Sequence, residues 1–446
     1  MHGYESTLAP MAAAPAEPAK KAGLSRYYPW LVFALSFGLL LSDYMSRQVL
    51  NALFPMLKLE WGLSDAQLGA LGGVVALMVG VLTFPLSILA DRWGRVKSLT
   101  LMAALWSIAT LGCALANSFG EMFIARLCVG IGEAAYGSVG IAVVVSVFPR
   151  HLRASLSAAF IAGGAFGSVL GMALGGVISA HFGWRVAFAG MAIFGLLLVA
   201  LYRLLITEKG LLARRRELGE EVSAPTQSKL ALRPLLSALF SARSILCAYV
   251  GSALQLFVMG SMLAWLPSFF GRYYHMTTEH AGLTAAGFVL IGGTGMILCG
   301  AFTDWIARHT PARKWIVAIV YSVLCCVLLG AAFQLQPGTA QLVLIGAGML
   351  LAGGSAGPAS AAVANLTSPA IHGTAFATLT LVNNLLGLAP GPFFTGLLAD
   401  RIGLAGALQF MPLIGLFAAL AFIVGRRSYT NDLQRLERMR TAAGNS

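Results

Sequence analysis

Stretches of about twenty apolar residues, each long enough to cross the hydrocarbon core of a bilayer, recur some twelve times along this 446-residue chain. They fall near 30–56, 65–90, 98–117, 122–148, 154–180 and 184–206, then after a polar segment near 244–270, 279–304, 314–335, 339–365, 374–398 and 405–425. Only 11% of the residues are charged, under half of the roughly 25% a soluble globular protein carries. A soluble multidomain enzyme is thereby excluded. Backbone in lipid must satisfy its own hydrogen bonds, and barrel strands would show short alternating segments in place of these long runs. The sequence predicts an all-α polytopic membrane protein with twelve transmembrane helices.

The basic residues orient it. With the N-terminus in the cytoplasm, 24 of the 30 Lys and Arg fall in cytoplasmic segments, four (Lys58, Arg185, Arg272, Arg401) fall outside and two (Arg47, Arg126) within spans. This positive-inside bias accounts for the net charge of +13 through topology and attraction to anionic inner-leaflet lipid, so no nucleic-acid partner is needed. Both termini are expected in the cytoplasm, with the protein in a bacterial inner (plasma) membrane as a monomer. Residues 1–28, rich in Ala and Pro, read as a disordered cytoplasmic tail and not as a cleaved signal. The polar segment 207–243, a cytoplasmic linker, divides the spans six and six: one bundle over 29–206, a second over 244–426, and a C-terminal tail over 427–446.

The halves repeat. Ser64 to Asp91 and Thr277 to Asp304 are both 28-residue segments that open on a Ser/Thr at a helix cap; Gly69 matches Gly282, and Asp91/Arg95 match Asp304/Arg308. Internal duplication of this kind belongs to secondary transporters, whose halves rock about a midplane site. An enzyme is not expected: no nucleophile with a base, no metal spacing and no CxxC pair is present, and the six cysteines all lie inside apolar runs. No cofactor is expected; a proton gradient would be the coupling source.

The loop after the second span reads Ser87-Ile-Leu-Ala-Asp91-Arg92-Trp93-Gly94-Arg95-Val96-Lys97. An Asp at a span end with Arg at +1 and +4 can make charge-assisted contacts to neighbouring helix ends, a latch that forms in one conformation and breaks in another. Asp304 and Arg308 echo it in the second half. These residues resemble the signature loop of the major facilitator superfamily, with Ser87 where that family usually has Gly and Val96 where it has a base. The resemblance extends over essentially the whole chain. It implies two pseudo-symmetric six-helix bundles working by alternating access, with Asp91, Arg92, Gly94, Arg95, Asp304 and Arg308 as the latch that stabilises the outward-open state.

Four ionisable residues lie within spans: Asp43 and Arg47 in the first, Arg126 and Glu133 in the fourth. Each is costly in hydrocarbon unless paired or facing water, so each is a functional candidate. Residues four apart sit about 40° apart around a helix and residues seven apart about 20°, so Asp43/Arg47 share a face, as do Arg126/Glu133. A structural charge network is the competing reading. The spacing makes Asp43 and Glu133 the proton-coupling candidates, with Arg47 and Arg126 placed to hold an anionic group. Tyr136, Gln255, Asn383 and Asn384 complete the expected substrate contacts, the last two just before Pro390-Gly391-Pro392. The second half has no ionisable residue inside its spans, which favours a substrate polar at one end and apolar at the other.

Arg126 with Gly130-Ile131-Gly132-Glu133-Ala134, and Asp43-Tyr44-Met45-Ser46-Arg47-Gln48, resemble the Spinster-type lipid transporters, whose first-span acid stands where Ser46 is here. That resemblance implies proton-coupled transport of a lysophospholipid-like amphipathic anion. Symporters of small organic acid anions share the first-span pattern and are the alternative. Drug efflux is a third reading, weakened because the fifth span (Ala162-Gly163-Gly164-Ala165-Phe166-Gly167) has no Pro.

Overall fold

A computed structural model of the protein describes residues 27–218, 239–240, 242–308, 310, 312–367 and 371–444. Residues 1–26 of the expected N-terminal tail and 219–238 of the expected linker lie outside them, as do the Asp91 side chain and residues 445–446. The described residues are helical nearly throughout. Ten spans are separate apolar helices or helix pairs, and the last runs from His372 to Leu436. Gly403 breaks that final run: its φ of +79° and ψ of 158° lie in a region that side-chain-bearing residues rarely adopt. The chain there leaves the eleventh span and starts the twelfth, which gives the twelve helices read from the sequence.

Local signals position the hairpins. Ser64 Oγ accepts from Gln67 N at 3.1 Å while Gln67 Oε1 accepts from Ser64 N at 3.0 Å, a reciprocal cap that starts the second span. Thr277 caps the eighth span in the repeat-equivalent place by accepting from His280 N. The fourth span is broken into Phe119–Glu133 and Tyr136–Val147, and the tenth into Thr339–Ala352 and Ala356–Leu366. Thr83 Oγ1 donates to Ala134 O at 2.6 Å, filling a carbonyl that the break leaves open. In the eleventh span, Pro390 and Pro392 remove two helix donors, and Asn384–Leu388 widens to a π turn closed by Ala389 N on Asn384 O at 2.9 Å.

Helix association in lipid has no hydrophobic drive and relies on close packing of small residues. The first and fifth spans meet this way: Gly163, Gly164, Gly167, Gly171 and Gly175 lie against Phe37, Tyr44, Leu41, Met45 and Val49. Between the halves, Gly69 and Gly73 of the second span lie on the backbone of Pro392 and Ala389 of the eleventh, and Gly176 of the fifth lies on Gly282 of the eighth.

We call the end of the bundle that holds residue 28 and the Asp91–Lys97 loop the tail end, and the opposite one the far end. The hydrogen bonds that join the halves gather at the far end. Arg272, closing the seventh span, donates to Asp65 Oδ2 at 2.7 Å and Oδ1 at 2.6 Å, and Lys58 donates to Asp65 Oδ1 at 2.5 Å. Asp400 reaches across to the first turn of the second span, accepting from Asp65 N at 2.7 Å and Ala66 N at 2.9 Å, where a helix N-terminus favours negative charge. Phe54 and Trp265 pack across the same division, ring centroids 5.2 Å apart. Toward the tail end the stripe bearing Gly69, Gly73 and Gly80 continues as Phe84, which is 49% exposed. The halves are closed at the far end and part toward the tail end.

Arg272→Ala leaves Asp65, whose side chain is 3% exposed, with Lys58 as its remaining ionic partner, at an expected cost of about 1–2 kcal/mol after allowing for the part-exposed Arg. Spin labels at the exposed Leu59 and His280 should report a longer or broader far-end distance in this variant than in wild type, with the distances at the tail end correspondingly shorter.

Candidate functional site

The charged residues of the first and fourth spans converge, although in a different pairing from the one expected. Arg47 Nε and Nη2 both donate to Glu133 Oε2, at 3.1 and 2.6 Å. Asp43, one turn before Arg47, is buried beside the same pair. Asp43 Oδ1 and Glu133 Oε1 are buried with no donor on either. The Tyr44 ring sits 5.3 Å from the Arg47 guanidinium, a cation–π contact. The cluster is therefore two carboxyls beside one guanidinium, which bonds to Glu133, and its two unpartnered oxygens belong to the two different acids. Two carboxylates this close repel strongly when both are ionised, and Arg47 cancels one charge. With one proton on the pair the cluster is electrically neutral.

Access to the cluster is through Arg47. Glu133 has no exposed side-chain surface, whereas Arg47 keeps 17% of its own. On the first span, Phe54, Pro55 and Lys58 stand at the closed far end, and one helical stripe runs back from them through Asn51 to Arg47. Arg47 thus lies, part exposed, on the face of the first span that meets the other half at the far end.

Arg126 does not pair with Glu133. Its guanidinium is fully buried and donates to three backbone carbonyls: Leu71 O at 3.3 Å, Ser46 O at 3.0 Å and Arg47 O at 3.3 Å. It ties the first, second and fourth spans together and holds the turn that bears Arg47. Sharing a face with Glu133 along one helix did not make the two partners, because neighbouring helices offered each a closer one. Tyr136 is also internal: its hydroxyl donates to Ser36 O at 2.8 Å and its ring meets Trp106 edge-on at 4.9 Å. Gln255 is fully buried near Cys325 of the ninth span and Gly415 of the twelfth, inside the second half and away from the division. Asn384 Nδ2 donates to Thr380 O at 2.9 Å, and its Cβ abuts Gly80 of the second span; Asn383 is half-buried with Oδ1 free of a donor. Of the expected second-half contacts, the Asn pair stands at the boundary between halves and Gln255 does not.

Among the described latch side chains, Arg95 and Asp304 bond within their own halves in this conformation. Gly94 takes φ +93° at the turn, Arg95 Nη1 donates to Ala142 O at 3.3 Å, and Asp304 accepts from Lys314 at 3.0 Å. Arg92 and Arg308 are exposed. The far-end lock of Lys58, Asp65, Arg272 and Asp400 escaped the sequence reading. Its signal was two bases, Lys58 and Arg272, at matching ends of the first and seventh spans, on the side where the sequence has few bases.

The family model described as Major Facilitator Superfamily matches residues 36–389. The gallate transporter of Pseudomonas putida is 29% identical over 427 residues, 89% of this chain and 91% of that one. The probable L-galactonate transporter of Escherichia coli strain K12 is 27% identical over 325 residues, 69% of each chain. A bacterial homologue of the human lysosomal transporter Spinster, solved in an inward-facing and unoccupied conformation, superposes with a TM-score of 0.79 over 92% of this chain and 99% of that one, at 19% identity. That last likeness is one of fold.

Arg126→Ala strips the donor from three buried carbonyls at once, and a loss of about 3–5 kcal/mol is expected. Thermal unfolding of the detergent-solubilised variant should show a clear fall in Tm. An unchanged Tm would mean that the three-way tie contributes nothing to packing.

Proposed function

The chain belongs to the Major Facilitator Superfamily of secondary transporters, and from that premise we propose that it moves a small organic carboxylate together with a proton by alternating access. The observation that carries this reading is the Arg47–Glu133 pair, which shares its site with a second acid, Asp43, and opens toward the division between halves through Arg47. A substrate carboxylate that binds Arg47 competes with Glu133 for the same N–H groups. Glu133, losing its counter-charge, then needs a proton of its own, taken up with the anion and beyond the one that keeps the resting pair neutral beside Arg47. Anion and proton together leave the cluster neutral, and a neutral cluster is the form that can be enclosed when the halves close over it, since an uncompensated charge in a closed, water-poor site is costly. The relatives described as a gallate transporter and a probable L-galactonate transporter support an organic acid over the lysophospholipid-like anion that the Spinster resemblance implied.

In this cycle the tail end faces the cytoplasm, as the distribution of bases favours. The structure then corresponds to the inward-open state, with the far-end lock made and the signature-loop latch released. Outward opening reverses both. Asn383, half-buried at the boundary with a free Oδ1, is placed to meet the polar substituents of a bound acid.

Proteoliposomes test the reading with radiolabelled gallate and a lysophosphatidylcholine in parallel, under an imposed pH gradient. Wild type should accumulate gallate down the proton gradient, Glu133→Gln should retain gallate counterflow while losing the response to the gradient, and Arg47→Ala should lose both. Gradient-driven movement of the lysophospholipid without the carboxylate would overturn the organic-acid reading. Full gradient dependence in Glu133→Gln would remove the role given to Glu133.

A further inference from the structure

The far-end lock leaves a cavity beside it that the transport site does not use. It has a volume of about 300 Å³, at the lower end of the range for small-molecule pockets. The first span walls it on one side, and the seventh span with the start of the eighth on the other. Pro55, Lys58 and Leu59 line it from the first half, and Ser268, Arg272 and Met276 from the second. Lys58 and Arg272 are the charged side chains of that lining. The two acids of the lock are not part of it: Asp65 is held by the two bases, and Asp400 bonds to the N–H groups of Asp65 and Ala66.

The bases keep donors that the lock leaves free. Lys58 gives Asp65 one N–H and Arg272 gives it two, out of the three and five that these side chains carry, and both remain part exposed. Lys58 Nζ and Arg272 Nη2 reach the same oxygen, Asp65 Oδ1, at 2.5 and 2.6 Å. Their nitrogens therefore stand within about 5 Å of one another, a separation that one carboxylate bridges with ordinary hydrogen bonds. Ser268 lies four residues before Arg272, about 6 Å deeper on the same face of the seventh span. It is fully buried and its hydroxyl has no hydrogen-bond partner. Orphaned buried polar groups are rare in folded proteins and call for an explanation. The other named walls, Pro55, Leu59 and Met276, are apolar.

We infer that this cavity is a second anion site, which takes a small carboxylate with a compact apolar body from the far side of the membrane. The carboxylate sits on the free N–H groups of Lys58 and Arg272, the body lies against Pro55 and Met276, and the Ser268 hydroxyl supplies a further donor. The volume suits such an acid and excludes the two acyl chains of a phospholipid. Lys58 stands eleven residues, about 16 Å, beyond Arg47 toward the far end, so this site fills while the transport site faces the tail end. Its walls belong to different halves, and they separate when the far end opens. A ligand bound there stabilises the closed far end through its affinity for that state alone. Occupancy holds the halves as they stand here and slows transport without competing for Arg47.

The inference rests on alternating access and uses neither the proton nor the identity of the substrate. Benzoate serves as the probe, with the full chain in phosphatidylcholine nanodiscs. Its binding is followed by isothermal titration in wild type and in Arg47→Ala, each with and without Lys58→Gln or Ser268→Ala. A component that persists in Arg47→Ala should weaken at least about tenfold with Lys58→Gln and about threefold with Ser268→Ala. Ser268→Ala removes a hydroxyl without a partner, so the Tm of the ligand-free protein should not fall. Spin labels at the exposed Asn117 and Gln336, in far-end loops of the two halves, should report a shorter and narrower distance with benzoate. Equal affinity in wild type and Lys58→Gln would overturn the site. A longer label distance on binding would mean that the anion opens the lock, against the closed-state assignment. Phosphatidylglycerol that native mass spectrometry finds retained by wild type and shed by Lys58→Gln would give the bases to a lipid phosphate and defeat the soluble-acid reading. Lys58-dependent binding with a label distance that neither benzoate nor gallate changes would instead sink alternating access and leave the site in place.

Discussion

Two acids and one base in the membrane interior set the terms for everything around them. Arg47 can cancel one negative charge and no more, so with both acids ionised the cluster carries an excess charge that a proton on the pair removes. A surface ion pair of the same geometry would contribute little, since water screens it. Inside a span the same imbalance is expensive enough to govern which conformations are populated. The rest of the first half serves that economy: Arg126 fixes the carbonyls on either side of Arg47, the break after Glu133 frees its carboxyl end of the fourth span, and the glycine line of the fifth span lets the first span sit deep in the bundle.

Much of this was legible in the chain itself. Twelve spans, their division six and six, the caps at Ser64 and Thr277 and the glycine face of the fifth span all follow from local chemistry: apolar length, side-chain oxygens at helix starts, small residues at three- and four-residue spacing. The four intramembrane charges announced themselves by their desolvation cost. Their pairing did not. Periodicity tells which residues of one helix share a face, and it says nothing about which neighbour that face meets. Arg126 and Glu133 share one, yet Arg126 found backbone carbonyls and Glu133 found Arg47. Gln255 and Tyr136 misled for a related reason. A polar residue in an apolar span reads as a ligand contact, but a bundle this tightly packed also buries polar groups against its own helices.

The two ends of the bundle answer one another. Far-end contacts join the halves through Asp65, Arg272 and Asp400, while Arg95 and Asp304 at the tail end bond within their own halves. Glu208 holds Val96 N one residue past Arg95, so the linker helix is moored at the loop whose contacts must change when the tail end closes. The duplicated sequence supplies the latch residues, Asp91/Arg95 and Asp304/Arg308, from equivalent places, whereas the lock acids Asp65 and Asp400 have no counterpart at the matching positions Thr278 and Ala180.

Asp65 receives two bases of unequal standing. Lys58 belongs to the same half and travels with it; Arg272 belongs to the other. When the far end opens, Asp65 stays neutralised by its own Lys58, and Arg272 is left with the positive charge that Asp65 had cancelled. Asp400 of the second half is freed by the same opening, since its partners, Asp65 N and Ala66 N, belong to the first. The lock is thus balanced on its second-half side, one base and one acid, and breaking it leaves no net charge from these two groups on that rim.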